Sequence, residues 1–398
     1  MKIALITQIT PAAENIRGTS ALPYHLMIHK PKEVDILIYS FNGNKLSTEK
    51  IKEIEEELNV KIVLLSQPLW LTWVLRFHLL AVRVFLKYPI FNYIKLPTRI
   101  VTEIKNQKPD GIWIYGQEIS RITKQFHGFK RVHILPDCES LYYYRMLAQR
   151  FVFKKRLSFF RNMIMYSKYL RMEGNYENDK TVKYYLVGDA DTESLKNINT
   201  GIQAYFIRHP HYHVTAQKKD ISFSVSKIKL LIAGQNNHYM QQCAGELVSA
   251  LYRERHNLCG YYKITFLGRG WEQRVSELQT AGYEVKHITF APDYIEEISK
   301  HDIQLTPISI GTGTKGKVLD AIANGLLVIG TPYALENIAV KSGESCIEYR
   351  SAAEVMDILR NIPMERKKYE EMAKRGREAV CRYHSRRAIS EQLFNLFK

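Results

Sequence analysis

Short apolar runs alternate with polar, helix-length stretches along the chain, and the alternation occurs twice. In the first half the runs Lys2–Thr7, Val34–Tyr39, Lys61–Leu65, Gly111–Tyr115, Val132–Leu135, Lys183–Val187 and Ala204–Ile207 are rich in β-branched and aromatic residues and too short for stable helices. Near-continuous apolar runs separated by helical lengths predict parallel strands joined by crossover helices. The pattern lapses over His213–Ser226, which reads as a linker. It resumes with Lys227–Ala233, Tyr262–Leu267, Glu284–Thr289, Ile303–Leu305 and Leu326–Ile329. Gly234 and Gly268 directly follow two of these runs, as a tight turn from strand to helix requires. The expected architecture is α/β, with two Rossmann-like domains facing each other across a cleft. Residues 1–212 form the first domain, 213–226 the linker, 227–375 the second domain, and 376–398 a final helix able to cross back to the first. Ligands of open α/β sheets bind beyond the carboxyl ends of the strands, so the cleft is the expected site.

Composition adds a class and a compartment. Of 398 residues, 45% are hydrophobic and 24% charged, enough apolar content for two full cores. Cys138, Cys243, Cys259, Cys346 and Cys381 are scattered, with neither C-x-x-C pairs nor Cys/His clusters at metal-ligand spacing. A reduced, cytoplasmic protein without a metal is the expectation, and Met1-Lys2 running straight into a strand shows no signal-peptide pattern. His25 and His209 are expected to be packed or solvated, not ligands.

The net charge of +17 is concentrated. Residues 61–172 hold 20 Lys/Arg against 5 Asp/Glu, a net of +15. Two stretches stand out within it. Leu69–Leu86 has 14 apolar residues of 18, yet Arg76, His78 and Arg83 argue against a membrane span. On a single helix Thr72, Arg76, Arg83 and Lys87 share one stripe, leaving Trp70, Trp73 and Phe77 elsewhere, an amphipathic surface. Leu141–Met172 carries eight Lys/Arg and no acid among Tyr142, Tyr143, Tyr144, Phe151, Phe153, Phe159, Phe160, Tyr166 and Tyr169. Basic and aromatic surfaces of this kind suit an anionic leaflet at the inner face of the plasma membrane. Alternatively, each is an ordinary core helix with a solvated side.

The densest chemistry lies in His301–Asn337, HDIQLTPISIGTGTKGKVLDAIANGLLVIGTPYALEN. A strand leads into a loop with Gly311, Gly313 and Gly316, then a short helix from about Lys317, halted at Asn324-Gly325. Glycines admit an anion close to backbone N–H groups, the helix start adds its positive end, and Lys315 and Lys317 supply full charges: a phosphate site. Gly311–Lys317 also fits G-x-x-x-x-G-K, but Val318 stands where a P-loop needs Ser or Thr for magnesium.

The run G-T-G-T-K-G-K-V-L-D-A-I-A-N-G-L-L-V-I-G-T resembles the nucleotide-sugar signature of family 4 (group 1) glycosyltransferases. Leu231–Gly234, Phe266–Gly270 (FLGRG), His287–Pro292 (HITFAP) and Arg375–His384 follow that family's order. Without metal-ligand clusters, no metal or other cofactor is expected; the resemblance implies a GT-B fold and a glycosyltransferase. It implies that Gly234 and the loop Gly311, Thr312, Gly313, Thr314 face the donor diphosphate, that Lys315 or Lys317 neutralises it, that Asp320 receives the ribose hydroxyls, and that Thr289 and Phe290 meet the base. The family often has two glutamates eight positions apart; here Thr312 and Asp320 stand at those places, so the donor sugar is left open.

The first half resembles the family's acceptor domain more distantly. Gly18 follows the first strand, where the family approaches the donor phosphate, and His133–Ser140 (HILPDCES) resembles D-x-x-D-x-x-S with His133 for the first acid. Asp137 is the leading candidate for a base or acceptor contact, followed by Glu139 and His133; Asp137 could equally be a helix N-cap. Expected partners are a nucleotide sugar, a glycan or lipid-linked glycan acceptor in cell-surface polysaccharide synthesis, and an anionic membrane surface, with no nucleic acid. A sugar-nucleotide epimerase and a nucleic-acid-binding protein using residues 61–172 are the alternatives.

Overall fold

The computed structural model describes residues 1–16, 19–77, 79, 82–149, 156–214 and 221–398. The chain forms two compact units, Met1–Pro210 with Arg386–Lys398, and His211–Ser385.

The first unit contains a seven-stranded parallel sheet ordered β3-β2-β1-β4-β5-β6-β7. Its strands are β1 (Lys2–Thr7), β2 (Asp35–Ser40), β3 (Lys61–Leu64), β4 (Gly111–Tyr115), β5 (Arg131–Leu135), β6 (Val182–Leu186) and β7 (Ala204–Phe206). Every residue of β4 and β5 is buried, as expected of central strands covered on both faces. One face packs Leu22, Met27, Ile54 and Leu58, and the other packs Ile104, Ile119, Ile122 and Phe126. The helix Thr48–Leu58 shows how local chemistry sets an element. Ser47 accepts from Lys50 N–H at 3.3 Å at its start, Asn59 ends it at φ +48°, and Ile51, Ile54 and Leu58 turn to the core.

The second unit has a six-stranded parallel sheet ordered β10-β9-β8-β11-β12-β13. It comprises β8 (Ile228–Ala233), β9 (Tyr262–Leu267), β10 (Glu284–Ile288), β11 (Ile303–Thr306), β12 (Leu327–Gly330) and β13 (Ile347–Glu348). Strand order reverses between β1 and β4 in the first sheet and between β8 and β11 in the second, the points where doubly wound sheets open a crevice.

The differences from expectation have local causes. β13 is two residues long and leaves no periodic trace. Leu69–Leu86 is not one helix: Leu69–Arg76 and Val82–Phe85 are separate, while His78, Leu80 and Ala81 lie outside the described residues. Leu141–Met172 divides into the helices Glu139–Ala148 and Arg156–Gly174, with Phe151 and Phe153 outside the described residues. Within the expected linker, residues 215–220 also lie outside them.

The helix Arg366–Tyr383 belongs to the second unit, and the chain joins the first unit's core from Arg386 onward, later than the expected boundary at 376. Ile389, Leu393, Phe394 and Phe397 are all buried there. Phe394 meets Trp113 edge-on at 6.3 Å, and Phe397 fills space that a Cβ on Gly111 would contest at 2.4 Å. Ser390 Oγ donates to Leu26 O at 2.8 Å, closing the seam. Phe394→Ala should destabilise the protein by about 3–5 kcal/mol, read as a lowered urea midpoint of the first unit, because a buried aromatic leaves a cavity that the neighbouring strand cannot fill.

Candidate functional site

Beyond the carboxyl ends of β4 and β5 the first unit gathers acids in its otherwise basic surroundings. Gly116, at φ +103°, turns the chain out of β4 and presents Gln117 and Glu118. Pro136, Asp137 and Cys138 leave β5 for the helix Glu139–Ala148. The cap position of that helix is Cys138, not Asp137. Its early N–H groups are taken from elsewhere: Cys138 N–H by Asp191 at 2.8 Å and Ser140 N–H by Glu173 at 3.3 Å. Asp137 is thereby not required for capping.

Its charge acts on its neighbours instead. Burial, then Asp137 and Glu118, push Glu139 up to about 8, while Gln117 Nε2 donates to its Oε1 at 2.8 Å. Burial and Asp137 also raise Glu118, and burial raises Glu173 to about 7. Tyr115 Oη donates to Thr19 O at 2.7 Å, bringing the loop after β1 to the same edge. Gly18, its neighbour, lies outside the described residues.

His133 does not join this edge. It is a fully buried strand residue whose Nε2 donates to Gly116 O at 2.9 Å, with its ring 5.5 Å from Tyr184. Burial lowers its pKa to about 4, and its closure from solvent within the strand removes it from the candidate bases. His25 and His209 are likewise buried and bonded to backbone carbonyls, of Ala13 and Pro210.

The second unit brings its glycines together at the carboxyl edge of β8, β9 and β11. Gly234 and Gly268, both at φ +136°, meet so closely that a Cβ on Gly268 would lie 2.1 Å from Gly234 O. Trp271 Nε1–H donates to that same carbonyl at 2.8 Å, and His287 Nε2 to Gly268 O at 2.8 Å. The next loop is pinned through its carbonyls. Lys315 Nζ donates to Thr312 O at 2.6 Å and Gly313 O at 3.0 Å, Asn337 Nδ2 to Gly313 O at 3.0 Å, and Thr331 Oγ1 to Ile308 O at 2.6 Å. Ser309 N–H donates to Tyr239 O at 2.7 Å, tying the loop to the segment after Gly234. Gly313 needs its positive φ of +62°, and a Cβ on Gly311 would strike the Lys315 side chain at 2.8 Å. Thr314 is half-buried within the same loop.

The helix Gly316–Ala323 starts from this loop. Lys317 projects from its first turn, exposed, with Nζ 5.3 Å from the Tyr294 ring centroid and a pKa lowered by the protein around it. Asp320 is turned inward at 5% exposure, and its Oδ1 accepts from Tyr212 N–H at 2.8 Å. One oxygen of the expected ribose ligand is thus engaged by backbone. Thr289 and Phe290 follow β10 at the same edge, and Phe290 is 73% exposed.

Residues 243–395 match a family described as glycosyl transferase-like. No curated protein matches the sequence. Among solved structures, HepE of Anabaena in complex with UDP is 13% identical, with 99% of each chain covered and a TM-score of 0.64. Sucrose-phosphate synthase of Thermosynechococcus elongatus is 12% identical, covering 100% of this chain and 98% of its own, at 0.62. The lipopolysaccharide outer core galactosyltransferase WaaB, in its apo form, is 11% identical over 100% and 99%, also at 0.62. The fold is GT-B.

Within this GT-B fold the glycine loops, Lys315, Lys317 and Asp320 share one sheet edge, while Asp137 and Glu139 share the corresponding edge of the other sheet. Two contributors were not anticipated. Glu118 follows β4 and had no motif around it. Tyr294 lies just past His287–Pro292, at a helix capped by Asp293; its buried hydroxyl has no hydrogen-bond partner among the described residues, and burial and then the Asp320 charge raise its pKa. Among the described residues one group has metal-like spacing, His127, Glu177 and Asp179. The fully buried Arg131 holds that pair of acids at 2.6 and 3.6 Å, which makes it an ion-pair network at the opposite edge of the first sheet.

The raised Glu139 pKa has a definite sign for stability. Its protonated form is the one the fold favours, so its contribution is complete below the ordinary carboxylate range near pH 4 and is lost as pH climbs through about 8. Glu139→Gln, which imitates the protonated side chain, should melt like the parent at pH 4.5. At pH 8.5 it should be the more stable, by on the order of 1–2 kcal/mol in paired thermal melts.

Proposed function

We propose that the protein is a glycosyltransferase that moves a sugar from a nucleoside diphosphate sugar to a glycan acceptor. The observation that carries this reading is the pinned glycine loop Gly311–Lys315 beside the Gly234–Gly268 contact, with Lys317 at the start of the following helix. When the glycosidic bond breaks, the leaving diphosphate gains charge. A helix start and an ammonium held in advance favour that state more than the intact donor. Thr289 and Phe290 are assigned to the base, and Asp320 to the ribose. HepE in complex with UDP and with UDP-glucose makes uridine nucleotides the first donors to try. On the acceptor side we assign Asp137 to the hydroxyl that is glycosylated, with Glu139 as the protonated neighbour that hydrogen-bonds to the same sugar. No step in this scheme requires a metal.

A thermal-shift series with nucleoside diphosphates and their sugars tests the donor site. Ligand binding raises stability with concentration over affinity, so a shift should appear with at least one of them. It should vanish in the Lys315→Ala, Lys317→Ala double variant and persist in Asp137→Asn, whose transfer rate should fall by about 10²–10⁴. A shift unchanged in the double variant refutes the donor assignment. Conversion of a nucleotide sugar without any acceptor would instead identify an epimerase.

We further propose that the acceptor is lipid-linked, in cell-surface polysaccharide synthesis, and that the first domain attaches peripherally to the inner face of the plasma membrane. This is supported by apolar side chains left in solvent next to the basic helices: Trp73 is 60% exposed, Phe85 88% and Leu157 81%. The Lys168 ammonium donates to Arg83 O, fastening the helix Val82–Phe85 to Arg156–Gly174 and joining the two patches. Among the described residues no helix is long and apolar enough to cross a membrane, so contact at the surface is the geometry that fits. Sedimentation with anionic vesicles should recover the protein, and Trp73→Ser with Phe77→Ser should weaken recovery by about tenfold or more without lowering the melting temperature. Nucleic-acid binding with a steep salt dependence, and no vesicle binding, would overturn the assignment.

A further inference from the structure

Away from both sheet edges, the first domain contains a polar cavity of about 80 Å³ next to the turn segment Ile90–Tyr93, several times the roughly 10–15 Å³ that one water needs. Arg121 and Lys124 line it, and among the described residues neither forms an ion pair. Arg121 is held instead by aromatic faces, 5.9 Å from the Tyr88 ring centroid and 5.6 Å from that of Tyr93. Ring faces orient a guanidinium without neutralising it, so its N–H edge keeps both charge and direction.

The hydroxyls of the cavity complete a donor set. Asn92 Nδ2 donates to Ser120 Oγ at 2.7 Å, and the Ser120 hydroxyl in turn faces the Tyr176 oxygen. Tyr176, 7% exposed, has a buried hydroxyl whose proton no acceptor among the described residues takes. The one acid of the lining, Glu177, is already neutralised by Arg131 at 2.6 Å and bonded to His127 at 3.0 Å. A half-buried guanidinium without an ion pair, an exposed ammonium at the rim and a buried hydroxyl donor around a partly open cavity suit a compact ligand rich in acceptors and negative charge.

We propose that this cavity binds a phosphate group. The bound group is a tetrahedral phosphate anion, received by Arg121, with Lys124 at the mouth and Tyr176, backed by Ser120, donating from the floor. Two sources share this chemistry, a soluble phosphate or phosphomonoester and a phosphomonoester lipid headgroup. The second would follow from the membrane contact proposed above, since the exposed Val84 and Phe85 lead directly into Tyr88. The site itself is independent of the donor assignment.

The test uses the full chain in two arms: calorimetric titration with inorganic phosphate and with glycerol 3-phosphate, and sedimentation with phosphatidylcholine vesicles containing phosphatidic acid or, for comparison, phosphatidylglycerol. Saturable binding is expected in one arm. It should weaken about tenfold in Lys124→Gln and in Arg121→Gln, as the loss of a charge-assisted hydrogen bond implies, and by a smaller factor in Tyr176→Phe. Lys105→Gln, the same charge change at an exposed position elsewhere, should leave it unaltered. Binding of the soluble ligands identifies a free phosphate ester; binding confined to phosphatidic acid vesicles identifies the headgroup. Absence of saturable binding in both arms, or an equal loss in Lys105→Gln, overturns the proposal. Tyr176→Phe and Lys124→Gln keep the test decisive if Arg121→Gln fails to fold, and an intact nucleotide-induced thermal shift in them separates this site from the donor site.

Discussion

The second domain depends on a contact between two backbones that admits no side chain. Gly268 lies against Gly234 so closely that even a methyl group would overlap the carbonyl, and that carbonyl is in turn fixed by the Trp271 indole. Two adjacent strands can therefore end level and turn away together, leaving their carboxyl edge open. The loop beyond β11 reaches this edge through Ser309 and Tyr239 and is held by bonds to its own carbonyls.

Lys315 and Lys317, two positions apart, illustrate a division of labour. Lys315 folds back on Thr312 and Gly313 and shapes the loop, while Lys317 lies over the Tyr294 ring, where burial lowers its pKa. Exchanging one for the other in an argument about charge alone would miss that the first acts through geometry. In the first domain the same economy appears with opposite sign. Asp191 and Glu173 satisfy the start of the helix Glu139–Ala148, and the acids at the mouth, Asp137 and Glu139, are relieved of that duty.

Much of the fold was legible because central parallel strands are apolar on both faces and announce themselves as runs; β4 and β9 fall where those runs do. Edge elements carry no such signature, and β13 went unseen for that reason. Helix breaks were the other blind spot. Leu69–Leu86 has a continuous amphipathic stripe, yet the helix stops at Arg76, since a stripe reports which side would be wet and not whether the turns connect. At the site, glycines and lysines were legible from spacing. Glu118 and Tyr294 were not, because they enter through tertiary neighbours far from them in sequence. His133 misled for a related reason: a histidine near a motif looks chemical until its strand position shows it beneath the sheet surface.

The helix Arg386–Asn395 brings the chain's last apolar residues, Leu393, Phe394 and Phe397, onto strands laid down at its beginning. During vectorial synthesis the first domain must therefore wait, its groove over Trp113 and Gly111 uncovered, while the entire second domain is translated and leaves the ribosome. A nascent chain in that interval exposes a sticky surface that a chaperone would recognise. A premature stop anywhere beyond the second domain would release a protein with an intact second half and a first half that never seals.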